Sequence, residues 1–104
     1  SHIIRPGGDV HYEYVNILPN LAKGVIIHIH DTFTPQNYLP EWLDEDVKFW
    51  NEQLLLECIL ANSDRYEVLM AANLLKNKAF DSLVNICPYL TQSREPGSIY
   101  LQVR

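Results

Sequence analysis

The run Val25-Ile26-Ile27-His28-Ile29-His30-Asp31 constrains this chain more than any other stretch. Its β-branched residues suit an extended, pleated backbone, and the run is too short for a buried helix, so it reads as a strand. A nearly continuous apolar strand is the pattern of parallel sheets covered by helices on both faces, and that burial is expected here. Gly24 lets the backbone turn into it from Leu18-Pro19-Asn20-Leu21-Ala22-Lys23. The strand stops on polar groups. In open α/β sheets ligands sit outside the carboxyl ends of the strands, so His30 and Asp31 stand where chemistry would be placed.

The rest of the chain supplies partners for that strand. Ser1 to Gly8 has no period and reads as a loop, with Asp9 placed to cap a helix. Val10, Tyr14, Ile17, Leu18 and Leu21 keep a helical spacing until Pro19 kinks or ends it. Thr34 to Pro40 reads as a loop. A long helix is expected from about Glu41 to Asn62, with Leu43, Val47, Trp50, Leu54, Cys58 and Ala61 as its apolar stripe. Glu41, Asp44, Glu45 and Asp46 crowd its first turns, where the helix dipole favours negative charge. A second strand is expected over Arg65 to Ala72. A short helix should span Lys78 to Cys87, with Phe80, Leu83, Val84 and Cys87 inward. Ser98 to Val103 alternates as a closing strand with Ile99, Leu101 and Val103 on one face. Helices and strands in alternation imply an α/β layer architecture.

Composition removes several function classes. Thirteen acids against eight bases leave a net charge of −5 with no Lys/Arg cluster, whereas a nucleic-acid surface needs a basic stripe. No run approaches the ~20 apolar residues of a bilayer span, and the start lacks a signal-peptide pattern, so a cytoplasmic protein without a membrane partner is expected. Cys58 and Cys87 lie in apolar, helical-looking stretches and are expected to be buried free thiols. Tyr38, Trp42, Phe49 and Trp50 read as core and rim aromatics. No glycine-rich phosphate loop, Cys-x-x-Cys pair or Gly-x-Ser-x-Gly elbow is present.

His28 and His30, two apart on a strand, share a face, and with Asp31 they offer metal-ligand chemistry. The spacing fits no three-ligand motif. A His-x-His-x-Asp-His hydrolase needs its acid two residues after the second histidine, and a cupin-like His-x-His needs a further histidine downstream of His30, where none occurs. His28 therefore reads as a packed strand residue bonded through one ring nitrogen. His30 and Asp31 stay open between a site and a polar strand end. His11 reads as exposed, and the residues alone give His2 no role.

The runs Asp9-Val-His-Tyr-Glu-Tyr-Val15, Leu18-Pro-Asn-Leu-Ala-Lys-Gly24 and Val25-Ile-Ile-His-Ile-His-Asp31 resemble class I S-adenosylmethionine-dependent methyltransferases, in particular the small-molecule O-methyltransferase-like group. Ser1-His2 is similar to the Ser-His that follows the fourth strand there. Trp50-Asn51-Glu52-Gln53-Leu54 and Ser98-Ile-Tyr-Leu101 also look like that group. The resemblance implies a Rossmann-like methyltransferase sheet of which residues 1–104 form a single partial domain, its C-terminal half. Gly24 to Asp31 would be strand five, Arg65 to Ala72 strand six, and Ser98 to Val103 the antiparallel strand seven. It implies methyl transfer from S-adenosylmethionine to a small hydroxylated acceptor, with the cofactor-holding glycine loop outside these residues. Asp31 would be a metal ligand or positioning acid for a divalent ion, with Thr32 where metal-dependent members usually carry Asn. His30 would be the general base or its helper, and His2 a cofactor-side pocket residue. Thr34 to Pro40 would form the acceptor side. The alternative is a non-catalytic pairing or scaffold module, associating with itself through the apolar edge at Val25 to Ile29.

Overall fold

A computed structural model describes residues 2–44 and 50–104. The chain is mixed α/β: one three-stranded antiparallel sheet with helices around it. After a leading segment that crosses the sheet end, α1 (Asp9–Tyr12) continues through a wider π-helical turn, Glu13–Ile17, into a tight 3₁₀ turn, Leu18–Asn20. Pro19 sits inside that last turn, where it needs no donor, and the helix ends there. The Arg65 guanidinium donates to the Leu18 carbonyl at 3.4 Å and also to that of Leu21, satisfying carbonyls that the helix end leaves open. Gly24, at φ +90°, turns the chain into β1 (Ile26–His30).

One short helix and one longer one follow the first strand: α2 (Pro40–Asp44) and, after residues 45–49, α3 (Glu52–Asn62). Then come β2 (Tyr66–Ala71), α4 (Ala72–Lys78), α5 (Phe80–Ile86) and β3 (Ser98–Val103). The strand order is β1-β3-β2, and β3 runs antiparallel to both neighbours. The last strand in sequence is therefore the middle of the sheet. Ile99, Leu101 and Val103 alternate into the core, as their spacing predicts. They meet Val10, Tyr14, Ile27, Ile29, Leu56 and Tyr66 in one cluster. A bulge between Val68 and Met70 lets Tyr66 face this core while Met70 pairs with Tyr100.

Four expectations fail, each for a physical reason. β1 is not covered on both faces: Ile27 and Ile29 are buried, but Ile26 is 60% exposed, and the strand pairs antiparallel on one side only among the described residues. The expected helix over 41–62 is two helices, because Trp50 and Asn51 leave helical geometry; Asn51, at φ −138°, becomes the residue that opens α3 and accepts the Ile4 N–H at 2.6 Å. Its apolar stripe is also displaced. Leu54 and Cys58 face solvent, while Glu52, Gln53 and Leu56 are buried, since polar contacts rather than apolar periodicity set the helix's rotation. Val47 and Phe49, with Glu45 and Asp46, lie outside the described residues. Finally, Cys87 is exposed like Cys58 and not buried, because α5 packs through half-buried Phe80, Leu83 and Val84 and ends before it; α4 fills the stretch between Ala72, read as a strand end, and Lys78, read as a helix start.

One buried cation ties α4 to the chain just before β3. Lys76 Nζ is paired with Glu95, and Asn73 Nδ2 donates to Glu95 Oε2 at 2.8 Å and to the Pro96 carbonyl at 3.2 Å. The Lys76 bond holds the Glu95 carboxyl below its ordinary value, with the Asn73 bond adding to it. A depressed carboxylate stabilises the fold above its unfolded value and loses that contribution as pH falls through the folded one. Melting temperature should therefore drop as pH falls from about 5 to about 3, and Lys76→Met should flatten that part of the profile. In the core, Leu101→Ala should cost about 2–5 kcal/mol in urea unfolding, because β3 has neighbours on every side and cannot collapse onto the gap.

Candidate functional site

The carboxyl end of β1 meets the amino end of α3 and the leading segment of the chain. His30 ends the strand opposite Ser98, and the ladder extends one residue further through the Asp31 N–H, which donates to the Gly97 carbonyl. Asp31 then takes φ +57°, a left-handed conformation that Asp tolerates better than most residues. A side chain at Gly97 would crowd this turn. A Cβ there would stand 3.0 Å from the Phe33 ring and 3.2 Å from the Asp31 Cα.

The segment after Asp31 is anchored on α3 by one amide. Gln53, fully buried, accepts the Phe33 N–H at 2.8 Å and donates to the Gln36 carbonyl at 2.6 Å and to Glu57 Oε1 at 3.1 Å. Its own N–H donates to the Tyr38 hydroxyl at 2.9 Å, and Thr34 Oγ1 donates to Glu57 at 3.0 Å. Phe33, Tyr38, Trp42 and Trp50 pack ring on ring above this network. The loop expected to form the acceptor side is thus fixed from beneath by Gln53.

His2 is brought in from the other direction. Its carbonyl accepts the N–H groups of Asn51 and Glu52 at 3.0 and 3.1 Å, which satisfies two donors at the start of α3. Its ring stacks at 4.2 Å on Trp50 and meets His30 edge-on at 4.7 Å. His2 Nδ1 donates to Glu52 Oε2 at 2.6 Å, and the other Glu52 oxygen accepts the Tyr14 hydroxyl at 3.2 Å. Glu52 is buried, and its charge also benefits from the helix N-terminus. Burial first, and the Glu52 charge second, push the Tyr14 phenol well above its ordinary value, so it is a fixed donor to that carboxylate.

With Nδ1 used, His2 turns Nε2 toward Asp31 Oδ2 at 3.4 Å, and His30 Nδ1 lies 3.0 Å from the same oxygen. Donor atoms of His2, His30 and Asp31 all lie within 4.8 Å of one another. His2 and His30 border a cavity of about 170 Å³ that also touches Asp9, Glu13, His28 and Glu52. A carboxylate, two imidazoles and a second carboxylate behind one of them can move a proton, orient a hydroxyl or hold a cation.

The residues singled out from sequence separate here. His30, Asp31 and His2 come together. His28 stays outside the group, its Nε2 3.1 Å from Ser98 Oγ and its ring stacked on Tyr100 at 4.5 Å. It is bonded through one ring nitrogen as expected, though on an exposed face. His11 is exposed. Thr32 is buried with its hydroxyl turned back to the His30 carbonyl, so no acid–amide pair forms at the strand end. Glu52 and Tyr14 were not read as site residues: Glu52 lies opposite the expected apolar stripe, where an acid passes for a solvated surface residue, and Tyr14 fits the apolar face of the first helix. No helix among the described residues is long and apolar enough to cross a membrane.

No family model, curated protein or solved structure matches the chain.

Gly97→Ala should push Phe33 and Asp31 off their positions, and the expected result is a melting temperature several degrees lower together with altered tryptophan fluorescence from the Trp42–Phe33 contact. An unchanged melting temperature and spectrum would show that the Asp31 turn is not braced by this contact.

Proposed function

We propose that the chain is the acceptor-side part of a Rossmann-like, class I S-adenosylmethionine-dependent methyltransferase acting on a small hydroxylated compound. One observation carries the reading. Asp31, at the carboxyl end of β1, meets His30 and the separately supplied His2, the three residues to which the resemblance gives roles. A closing strand antiparallel to its neighbours, as the resemblance implies, adds support.

The methyl donor does not fit this chain alone. The cavity is about 170 Å³ and lined by imidazoles and carboxylates, below the ~300 Å³ at which cofactor-sized pockets begin. No glycine loop is available to approach the donor either. The chain's share is proton handling and acceptor placement. Asp31 accepts from His30 Nδ1–H, which leaves the lone pair on Nε2 and fixes the imidazole as a general base. An acceptor hydroxyl held beside it gives up its proton to Nε2. The loop from Thr34 to Pro40, held by Gln53 and Glu57, limits which acceptor can lie there.

A second reading rests on the unpaired edge of β1 and its exposed Ile26: a pairing module that associates with itself through this strand. Size-exclusion chromatography separates the two, since a stable monomer at high concentration removes the pairing module.

Calorimetric titration of S-adenosylmethionine into the 104-residue chain should give no measurable heat, and micromolar affinity would overturn the division of labour. In a polypeptide that carries this segment together with a donor-binding half, His30→Ala should lower methylation of hydroxylated acceptors by about 10²-fold or more, while Asp81→Ala on exposed α5 should leave it unchanged. Equal effects of the two would remove His30 from the site.

A further inference from the structure

We propose that His2 Nε2, His30 Nδ1 and the Asp31 carboxylate form a three-donor site for a divalent first-row transition ion of the zinc or iron(II) class, with Glu52 as the support behind His2. The site belongs to the chain by itself and does not depend on methyl transfer.

Spacing is the first argument. Ligand bonds of about 2.0–2.2 Å place adjacent donors of a tetrahedral or octahedral ion about 3.0–3.4 Å apart. Asp31 Oδ2 lies 3.0 Å from His30 Nδ1 and 3.4 Å from His2 Nε2. The third separation falls within the 4.8 Å limit that encloses the group, and the exposed His30 ring can rotate to shorten it.

The second argument is which lone pairs face inward. His2 Nδ1 is bonded to Glu52 at 2.6 Å, so Nε2 is the nitrogen that His2 turns toward the Asp31 carboxylate, 3.4 Å from Oδ2, where one cation can take both. A carboxylate behind a ligating histidine fixes its tautomer and raises its basicity, which is the usual outer support of a metal-bound imidazole. Glu52 is suited to that role and not to ligation, because its second oxygen takes the Tyr14 hydroxyl. His30 needs only to move its proton from Nδ1 to Nε2, which costs little on a ring 67% exposed to water.

Preorganisation is the third argument. Asp31 is held at φ +57° by its bond to Gly97, and His2 is held by its carbonyl on α3 and its ring on Trp50. The donors come from two places in the fold: adjacent His30 and Asp31 end β1, and His2 is brought to them by the leading segment, so the approach of His2 is not a by-product of sequence neighbourhood. The cavity beside His2 and His30 leaves room for water or an oxygen of a substrate at the remaining coordination positions.

Donor chemistry selects the ion. Two imidazoles and one carboxylate suit zinc, iron(II), cobalt(II) and manganese(II), whereas magnesium requires an oxygen-rich octahedron. The ion would differ from one held by an acid–amide pair, since buried Thr32 turns away from the group.

Cobalt(II) titrated into the tag-free, folded chain should develop visible d–d absorption with one equivalent bound, zinc should displace it, and each ion should raise the melting temperature. Magnesium at millimolar concentration should do none of these. His30→Ala and Asp31→Asn, checked for the wild-type far-UV circular dichroism, should weaken cobalt binding by at least about 100-fold, and Glu52→Gln by about 10–100-fold. His11→Ala, which removes an exposed imidazole outside the site, should leave binding unchanged. Absence of a one-to-one cobalt complex, retention of wild-type affinity in His30→Ala, or an equal loss in His11→Ala would overturn the site. Metal binding that persists while a polypeptide carrying this segment together with a donor-binding half shows no methylation would sink the methyltransferase reading and leave this site standing.

Discussion

Everything in this fold hangs on the last strand. β3 is hydrogen-bonded on both sides, and its three inward residues form the floor on which α1 and α3 rest. The pairing partners of β3 lie far earlier in the sequence, so the two outer strands are held by pairings of long sequence separation. The same strand sets the site. Gly97, one residue before β3, receives the Asp31 N–H and leaves room for the left-handed turn.

Around that frame the buried polar groups are paired with purpose. Glu52 would be costly as an isolated charge, since an ionised carboxylate out of water loses several kcal/mol of hydration. Here it has an imidazole N–H, a phenol and a helix N-terminus, and so it fixes His2 and Tyr14 relative to α3. Gln53, its neighbour, gives two of its side-chain bonds to the loop that follows Asp31 and a third to Glu57, which accepts from Thr34 of the same loop. Two adjacent polar residues therefore hold the two halves of the site: Glu52 the leading segment, Gln53 the strand end and its loop.

These same two residues mark the limit of what periodicity reveals. The alternation in Ser98–Val103 was legible because a strand with one buried face has a strict period of two, and Ile99, Leu101 and Val103 obey it. The β1 run was legible as a strand, yet its burial was not, because apolar content does not say whether a covering element exists. In α3 an apolar stripe through Leu54 and Cys58 was plausible on spacing alone, and burial of Glu52 and Gln53 reversed it. Hydrogen-bonded polar residues contribute nothing to a hydrophobic pattern, so the helix rotated away from its apparent face. His30 and Asp31 were legible from their place at a strand end. His2 was not, except through a resemblance, since its role depends on a contact with a residue fifty positions away.

The two outer strands differ in how their free edges are treated. β2 carries a bulge, which bends the strand and disrupts a regular edge, and it bears Glu67. β1 has neither bulge, lysine nor proline, and its free edge continues from an exposed Ile26. Natural sheets blunt edges that must stay unpaired, and the described part of β1 carries none of these devices, so the outer side of His28 and His30 is left to solvent.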